Sequence, residues 1–380
     1  MALQTSGAIT LDQIHDEAGG TSGSTCTVND ADIRGLIDAS DGATTSFDDW
    51  YGAASAGDVI LNAVGSITSG GGGDYSNVIL QISIATNGQD SDFGDLTVGR
   101  ESIGSASSST RGLFYGGFNT GISGARSDTI DYVTIASAGN ASDFGNASAA
   151  NSAGTGISNN TRAVFHQGYT GAVSNVLEYV TIANTGNTTD FGDATVAAYS
   201  RGSTSNTTRG VFAGGALLSG YSNVMDYITI ANTGNASDFG DLLVVKPNTT
   251  GHYNFNSGNV SSSTYGFFTG GGYPQDQYGE TPRVEYITIG STGNGSDFGD
   301  LNREIRTGFQ GGNKIKGLCG GGLRYDNYDT TGNETTNRAV GAIDVSVFTL
   351  GTSGSGSDWG DLTKGAIDSC GLSDDHGGIG

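Results

Sequence analysis

The chain has 380 residues with 39 acidic against 16 basic side chains, a formal net charge of −23; such a balance repels phosphate backbones and anionic bilayers, which argues against nucleic-acid binding. Charged residues are only 14% of the total and glycine fills 66 positions, a composition poor in helix formers and suited to strands and turns. No stretch approaches the ~20 apolar residues of a membrane span, and the opening Met1–Gly7 has no basic segment leading into an apolar run, so synthesis and folding in a cytoplasm are expected.

Residues 1–57 carry no repeat. Thr10–Ala18 reads as a short amphipathic helix capped by Thr10 and stopped by Gly19-Gly20, and a second short helix is expected over Asn29–Asp38. A module of that size is marginal alone, which predicts that it completes its core by docking on another protein. The competing expectation is a small cap packed on the rest of the chain.

From residue 58 onward one unit recurs. An aromatic-Gly-Asp/Asn tripeptide begins at Phe93, Phe144, Phe191, Phe239, Phe298 and Trp359, with spacings of 51, 47, 48, 59 and 61 residues. Upstream of each aromatic lies a β-branched and aromatic run such as Asp226-Tyr227-Ile228-Thr229-Ile230, then a turn such as Asn232–Asn235. That is the pattern of a hairpin. Further upstream come a strand ending in paired glycines, as in Arg111–Gly117 and Arg209–Gly215, and before it a Ser/Thr-rich strand such as Ser102–Ser109. Four short antiparallel strands per ~50 residues, repeated six times, predict a six-bladed all-β propeller over 58–380 rather than a linear β-solenoid. The first unit shows no copy of the Arg-Gly-x-Phe strand. The tail, Ala366–Gly380, reads like the opening strands of a further unit, with His376–Ile379 at the Arg-Gly-x-Phe position. Pairing of tail and first unit predicts circular closure without exposed sheet edges.

The recurring aromatics are expected to pack between blades, with the acids beside them, such as Asp92 and Asp95, bonding turn amides. A calcium loop is not indicated, because the alternating acidic ligands of such loops are missing; no metal and no cofactor are expected. Cys26, Cys319 and Cys370 are odd in number and contain no CxxC pair, so buried thiols are expected rather than a disulfide framework or zinc site. The sequons at Asn140, Asn187 and Asn235 fall in the repeat turn, where asparagine's turn chemistry accounts for them.

The repeats resemble the kelch motif in their paired glycines, third-strand tyrosine and fourth-strand aromatic, although five copies have Phe where the motif has Trp. The wording at 226–242 and the opening Thr5–Leu11 with Trp50-Tyr51-Gly52 resemble repeat proteins of marine tailed bacteriophages, especially those of cyanobacteria. The resemblance implies a virion component, tail- or fibre-associated, present in multiple copies, in which residues 1–57 contact other virion proteins. The loops after the paired glycines differ in length, and two are long and aromatic. Tyr273, Tyr278, Tyr325 and Tyr328 in them are the candidate residues for binding a host-surface glycan or protein. An enzyme is not expected: only four histidines occur, no nucleophile elbow is present, and the sialidase Ser-x-Asp-x-Gly-x-x-Trp box is unmatched. A purely architectural decoration of head or tail and a polysaccharide hydrolase are the alternatives.

Overall fold

A computed structural model describes residues 59–66, 75–85, 90–119, 125–243, 257–271, 281–325, 339–341 and 343–379. The helices expected within 1–57, and Cys26, lie outside these residues. No helix occurs among the described residues, and the strands form six four-stranded antiparallel sheets plus the pair Leu323–Tyr325 with Ala339–Gly341. The fold is an all-β six-bladed propeller.

Blade 2 shows the plan: innermost Gly104–Ser107, then Arg111–Tyr115, Ser127–Thr134 and outermost Ser142–Asn151. Blades 3 to 6 start at the inner strands Thr155–Ser158, Gly202–Ser205, Val260–Ser261 and Phe309–Gly312. Blade 1 is assembled from both ends of the described chain. Cys370–Ser373 pairs antiparallel with Val59–Ala63, Ile60 opposite Ser373 and Ala63 opposite Cys370, and Val78–Ser83 and Ser91–Asp95 complete the sheet.

Two details of the tail differ from the sequence expectation. The Arg-Gly-x-Phe position of blade 1 is filled by Val59–Ala63, so the tail supplies one strand rather than two. His376–Ile379 is not a strand but a turn crossing the channel end. There the buried His376 lies 3.4 Å from Ser158 and 3.2 Å from Asn259, and Gly377 N–H donates to Ser261 O at 3.0 Å.

One apolar cluster fills each blade junction. Phe93 packs with Ile79, Phe114 and Val133 between blades 1 and 2, and Phe144 packs with Leu113 and Phe165 between blades 2 and 3. Phe191, Phe239 and Phe298 occupy the next three junctions, and Trp359 sits with Ile60 and Phe309 between blades 6 and 1. Every large recurring aromatic thus removes area from water against a neighbouring blade, the dominant favourable term available to such a ring.

Polar contacts set the spacing of the blades. A register shift in the outer strand pair recurs in all six blades, for instance between Ile79 and Leu80. It presses the tripeptide glycine against the next blade's turn: a Cβ on Gly94 would meet Gly139 O at 2.3 Å, and its φ is +152. The anchoring acceptor differs from the expected carboxylate. Asp95 N–H donates to Asn140 Oδ1 at 3.1 Å, and Asn146 and Asp193 donate likewise to Asn187 and Asn235 at 3.0 Å. Asparagine wins because its amide oxygen, fixed by the turn, points at that N–H, while the Asp92 side chain lies in the exposed part of the strand. The sequon asparagines are therefore staples between blades.

Arg111, Arg162 and Arg209 each stack on a tyrosine of their own blade, at 4.5, 4.3 and 4.2 Å from the rings of Tyr132, Tyr179 and Tyr227. Each also donates to a carbonyl of the next blade, Ile182 O, Ile230 O and Ile289 O. Along the axis, where inner strands approach without a main-chain ladder, hydroxyls bridge them. Ser105 and Ser107 donate to Gly371 O and Ser373 O at 2.7 Å, and Ser203 and Ser205 to Gly156 O and Ser158 O at 2.9 Å. This accounts for the Ser/Thr-rich composition of these strands.

A candidate binding cleft on the loop face

The paired-glycine loops and the connections between blades emerge together on one face. Isolated bridges tie them to each other: Glu101 to Phe118, Ser152 to Tyr169, and Tyr199 to Ala216. The connections turn into the inner strands through residues in the left-handed region, Ser102 (φ 54), Ala153 (53), Ser200 (53), Thr307 (56) and Asp368 (49). Non-glycine residues hold that conformation only where surrounding bonds impose it. Here the bonds run round the axis: Ser102 N–H donates to Asp368 O at 2.9 Å, Ala153 to Ser102 O at 2.8 Å and Ser200 to Ala153 O at 2.9 Å. A small axial pocket of about 40 Å³ lies at their centre, lined by Ser102, Ser200, Thr307 and Asp368 among others.

Beside it a larger cleft of about 470 Å³ opens over blades 2 to 4, lined by Phe118, Tyr169, Tyr199, Leu217, Leu218 and Asp368 among others. The Tyr169 and Tyr199 rings stand 5.6 Å apart at 59°, and the Arg126 guanidinium lies 4.6 Å from the Tyr169 ring centre. Leu218 at the rim is 86% exposed. Aromatic walls with a few convergent polar groups suit a small ligand or one end of a larger one.

Asp368 and Glu101 meet where the tail joins the second blade. Burial pushes the Asp368 carboxyl up to about 6, against the opposing pull of Thr307 and Arg306. Burial, and then the Asp368 charge, raise Glu101 to about 7 from its ordinary 4.5. A carboxyl whose folded value is raised favours the fold below its unfolded value, and that contribution is lost as pH climbs toward the folded value. Glu101→Gln is therefore expected to flatten the fall in melting temperature between pH 4.5 and 7. Melts of both proteins across that range check it; parallel profiles would contradict the assignment, since the contribution of Glu285, also raised to about 7, cancels in the difference.

The structure places the sequence-predicted binding residues less completely. Tyr273, Tyr278 and Tyr328 lie outside the described residues. The Tyr325 backbone ends the strand Leu323–Tyr325 and pairs with Ala339. Phe118, Tyr169 and Tyr199 were not singled out from the sequence. A usable signal existed: Phe118 and Tyr169 directly follow the glycine-pair position, where blade 4 has Ala216. Arg111, Arg162 and Arg209 serve three different junctions and converge on no pocket. Cys319 and Cys370 are buried thiols, each pushed up to about 12 by burial. Among the described residues no group of three or more His, Cys, Asp or Glu side chains is placed to hold a metal.

The molecule thus belongs, by architecture, to the six-bladed propellers that carry a cleft on the loop face. A similar solved structure is described as "Structure of YjhT", with a TM-score of 0.52 and 9% identity, covering 72% of this chain and 91% of that one. That likeness concerns fold alone. No family model and no curated protein matches the sequence.

Proposed function

We propose that this protein is a non-enzymatic structural component of a tailed-phage particle, tail- or fibre-associated, that presents a glycan-binding cleft to the host surface. The carrying observation is the polarity of the ring. Val59, where the chain comes into the first blade, lies beside Asp374, and the closing tail covers that same end of the channel; the aromatic cleft opens on the opposite face. Val59 thus lies at the end of the ring away from the cleft; in this reading residues 1–57 make the contacts with other virion proteins, in multiple copies, and the cleft is the recognition surface. The virion context is carried by the resemblance of the repeats and of the opening segment, and the circular, kelch-like closure supplies a rigid platform for the loops.

Two rigid tyrosine rings offer large contact area at small entropic cost, a suitable wall for the apolar face of a sugar ring. The double substitution Tyr169→Ala with Tyr199→Ala is expected to weaken binding to host-derived polysaccharide at least about tenfold, ~1.4 kcal/mol, with the melting profile retained. Titration of purified protein measures this, and unaltered affinity would refute the cleft assignment. Antibody labelling of intact particles by electron microscopy tests the location; label absent from particles would sink the virion reading.

A further inference from the structure

We infer that the loop-face cleft takes an uncharged saccharide carrying a methyl group, as an N-acetyl or a 6-deoxy sugar does, with the sugar ring against Tyr169 and Tyr199 and the methyl against Leu217 and Leu218. The inference rests on the glycan reading above and adds the charge and one substituent of the ligand. Leu217 and Leu218 line the cleft together with Val173 and Phe118. They begin the four-residue tip of a blade 4 hairpin, closed by the Ala216–Tyr221 bridge and by Leu217 N–H donating to Gly220 O at 3.0 Å, with Gly220 at φ +95. Such a tip favours glycine and small or polar residues, as in Thr170-Gly171-Ala172 between the bridged Tyr169 and Val173 of blade 3. Nothing in the turn requires leucine. Yet Leu218 is 86% exposed, whereas the next most exposed large apolar side chain among the described residues, Ile315, is 49% exposed. A leucine left in water on the same wall as two tyrosine rings is apolar surface available to a ligand.

The charges around the cleft favour neither sign. The Arg126 guanidinium lies 4.6 Å from the Tyr169 ring centre, and its Nε is buried without a hydrogen-bond partner among the described residues. Arg306 is a second cation nearby, and against the two stand the carboxylates of Asp368 and Glu101. A uronate would meet the carboxylates and an ammonium the guanidinium groups, so a ligand of either charge gives up water in front of a like charge. An uncharged sugar avoids both. A sugar with hydroxyl substituents alone leaves the leucine wall facing hydroxyls and water. A methyl at that edge replaces water with apolar contact, which corresponds to about a fourfold gain in affinity for one buried group.

The test is calorimetric titration of the full-length protein and of Leu218→Ser with matched sugars. One pair is the β-1,4-linked tetramer of N-acetylglucosamine and that of glucose; the other is the methyl glycosides of L-fucose and L-galactose, which differ only in a methyl against a hydroxymethyl group. The free-amine glucosamine tetramer and a galacturonate tetramer supply the two charges. The expected result is that the methyl-bearing member of at least one pair binds about fourfold or more tighter than its counterpart, and that neither charged tetramer exceeds it. Which pair shows the preference separates the acetyl from the deoxy source. Leu218→Ser is expected to erase that preference while leaving the affinity of the counterpart unchanged, a selectivity that a general loss of structure would not produce. The side chain stands at an exposed turn tip, so the variant should melt as the parent does. Equal affinity within both pairs, a preference that survives Leu218→Ser, or tighter binding of a charged tetramer overturns this inference and leaves the glycan reading standing. If none of the saccharides binds, the glycan reading fails and this inference with it.

Discussion

A chain ended at Ile367 is expected to lose the cooperative fold rather than merely its last residues. Without Cys370–Ser373, the strand Val59–Ala63 keeps one neighbour and presents an open edge. The junction cluster around Phe93 loses Cys370 and Leu372, both buried. Ser105 and Ser107 lose the acceptors Gly371 O and Ser373 O, and Ser102 N–H loses Asp368 O. Burial of the two side chains alone is worth several kcal/mol at about 1.5–3 kcal/mol for a large apolar residue, against a total stability of about 5–15 kcal/mol for a typical domain. An unpaired edge also templates association between chains. Size-exclusion chromatography and circular dichroism should therefore show aggregated or expanded material without a sharp melt. A synthetic peptide of residues 366–380 added during refolding is expected to recover part of the monomer by strand addition. A truncated monomer melting within a few degrees of the full chain would show that the ring does not depend on this strand.

Much of this architecture could be read from spacing because the repeat writes each structural duty into one residue type. The aromatic of each tripeptide fills a junction, its glycine admits the neighbouring turn, and the turn asparagine accepts the bond that fixes the gap. What spacing concealed lies where a duty is met by different letters. Val59–Ala63 does the work of Arg111–Tyr115, yet its sequence, Val-Ile-Leu-Asn-Ala, has Asn62 where the second blade has Phe114. His376-Gly377-Gly378-Ile379 has glycines at suggestive positions, but they serve close approach: a Cβ on Gly377 would meet Ser262 O at 1.9 Å and one on Gly378 would meet Ser158 O at 2.1 Å.

The cleft was harder to read for a different reason. Long loops announce themselves in a sequence, whereas Phe118, Tyr169 and Tyr199 come from short connections of three successive blades and converge only when the blades are laid side by side. The fourth-strand acids drew attention because they recur, and two of them have partners, Asp297 with Arg283 and Asp358 with Gly360 N–H, yet the buried acids are those one strand earlier, Asp131, Glu178, Asp226 and Glu285. The Glu178 carboxylate accepts from Tyr115 at 2.6 Å and from Ser148, and Asp131 accepts from Thr97. These four sit just after the register shift, which turns the residue inward, and no periodicity of apolar residues reports that rotation.

Asp226→Ala is expected to be among the most costly single substitutions, at about 3–5 kcal/mol. Its carboxylate accepts from Arg201 Nη1 at 2.6 Å and from the Thr195 hydroxyl, and both ionic side chains are fully buried. Arg201 also donates to Phe212 O at 3.1 Å and Val224 O at 3.2 Å, so the guanidinium holds two strands of blade 4 to the connection that leads into it. Burial pulls the Arg201 pKa below its ordinary value while Asp226 acts the other way; removing the acid leaves the desolvation of the cation uncompensated, which is where most of the loss arises. The distinguishing experiment is the double change Arg201→Met with Asp226→Leu. Apolar side chains of similar volume remove both charges together, so the double variant is expected to recover most of the stability lost by Asp226→Ala. Urea unfolding of the three proteins reads the difference. A double variant as unstable as the single one would mean that the hydrogen bonds to Phe212 O, Val224 O and Thr195, rather than the pairing of charges, hold this junction together.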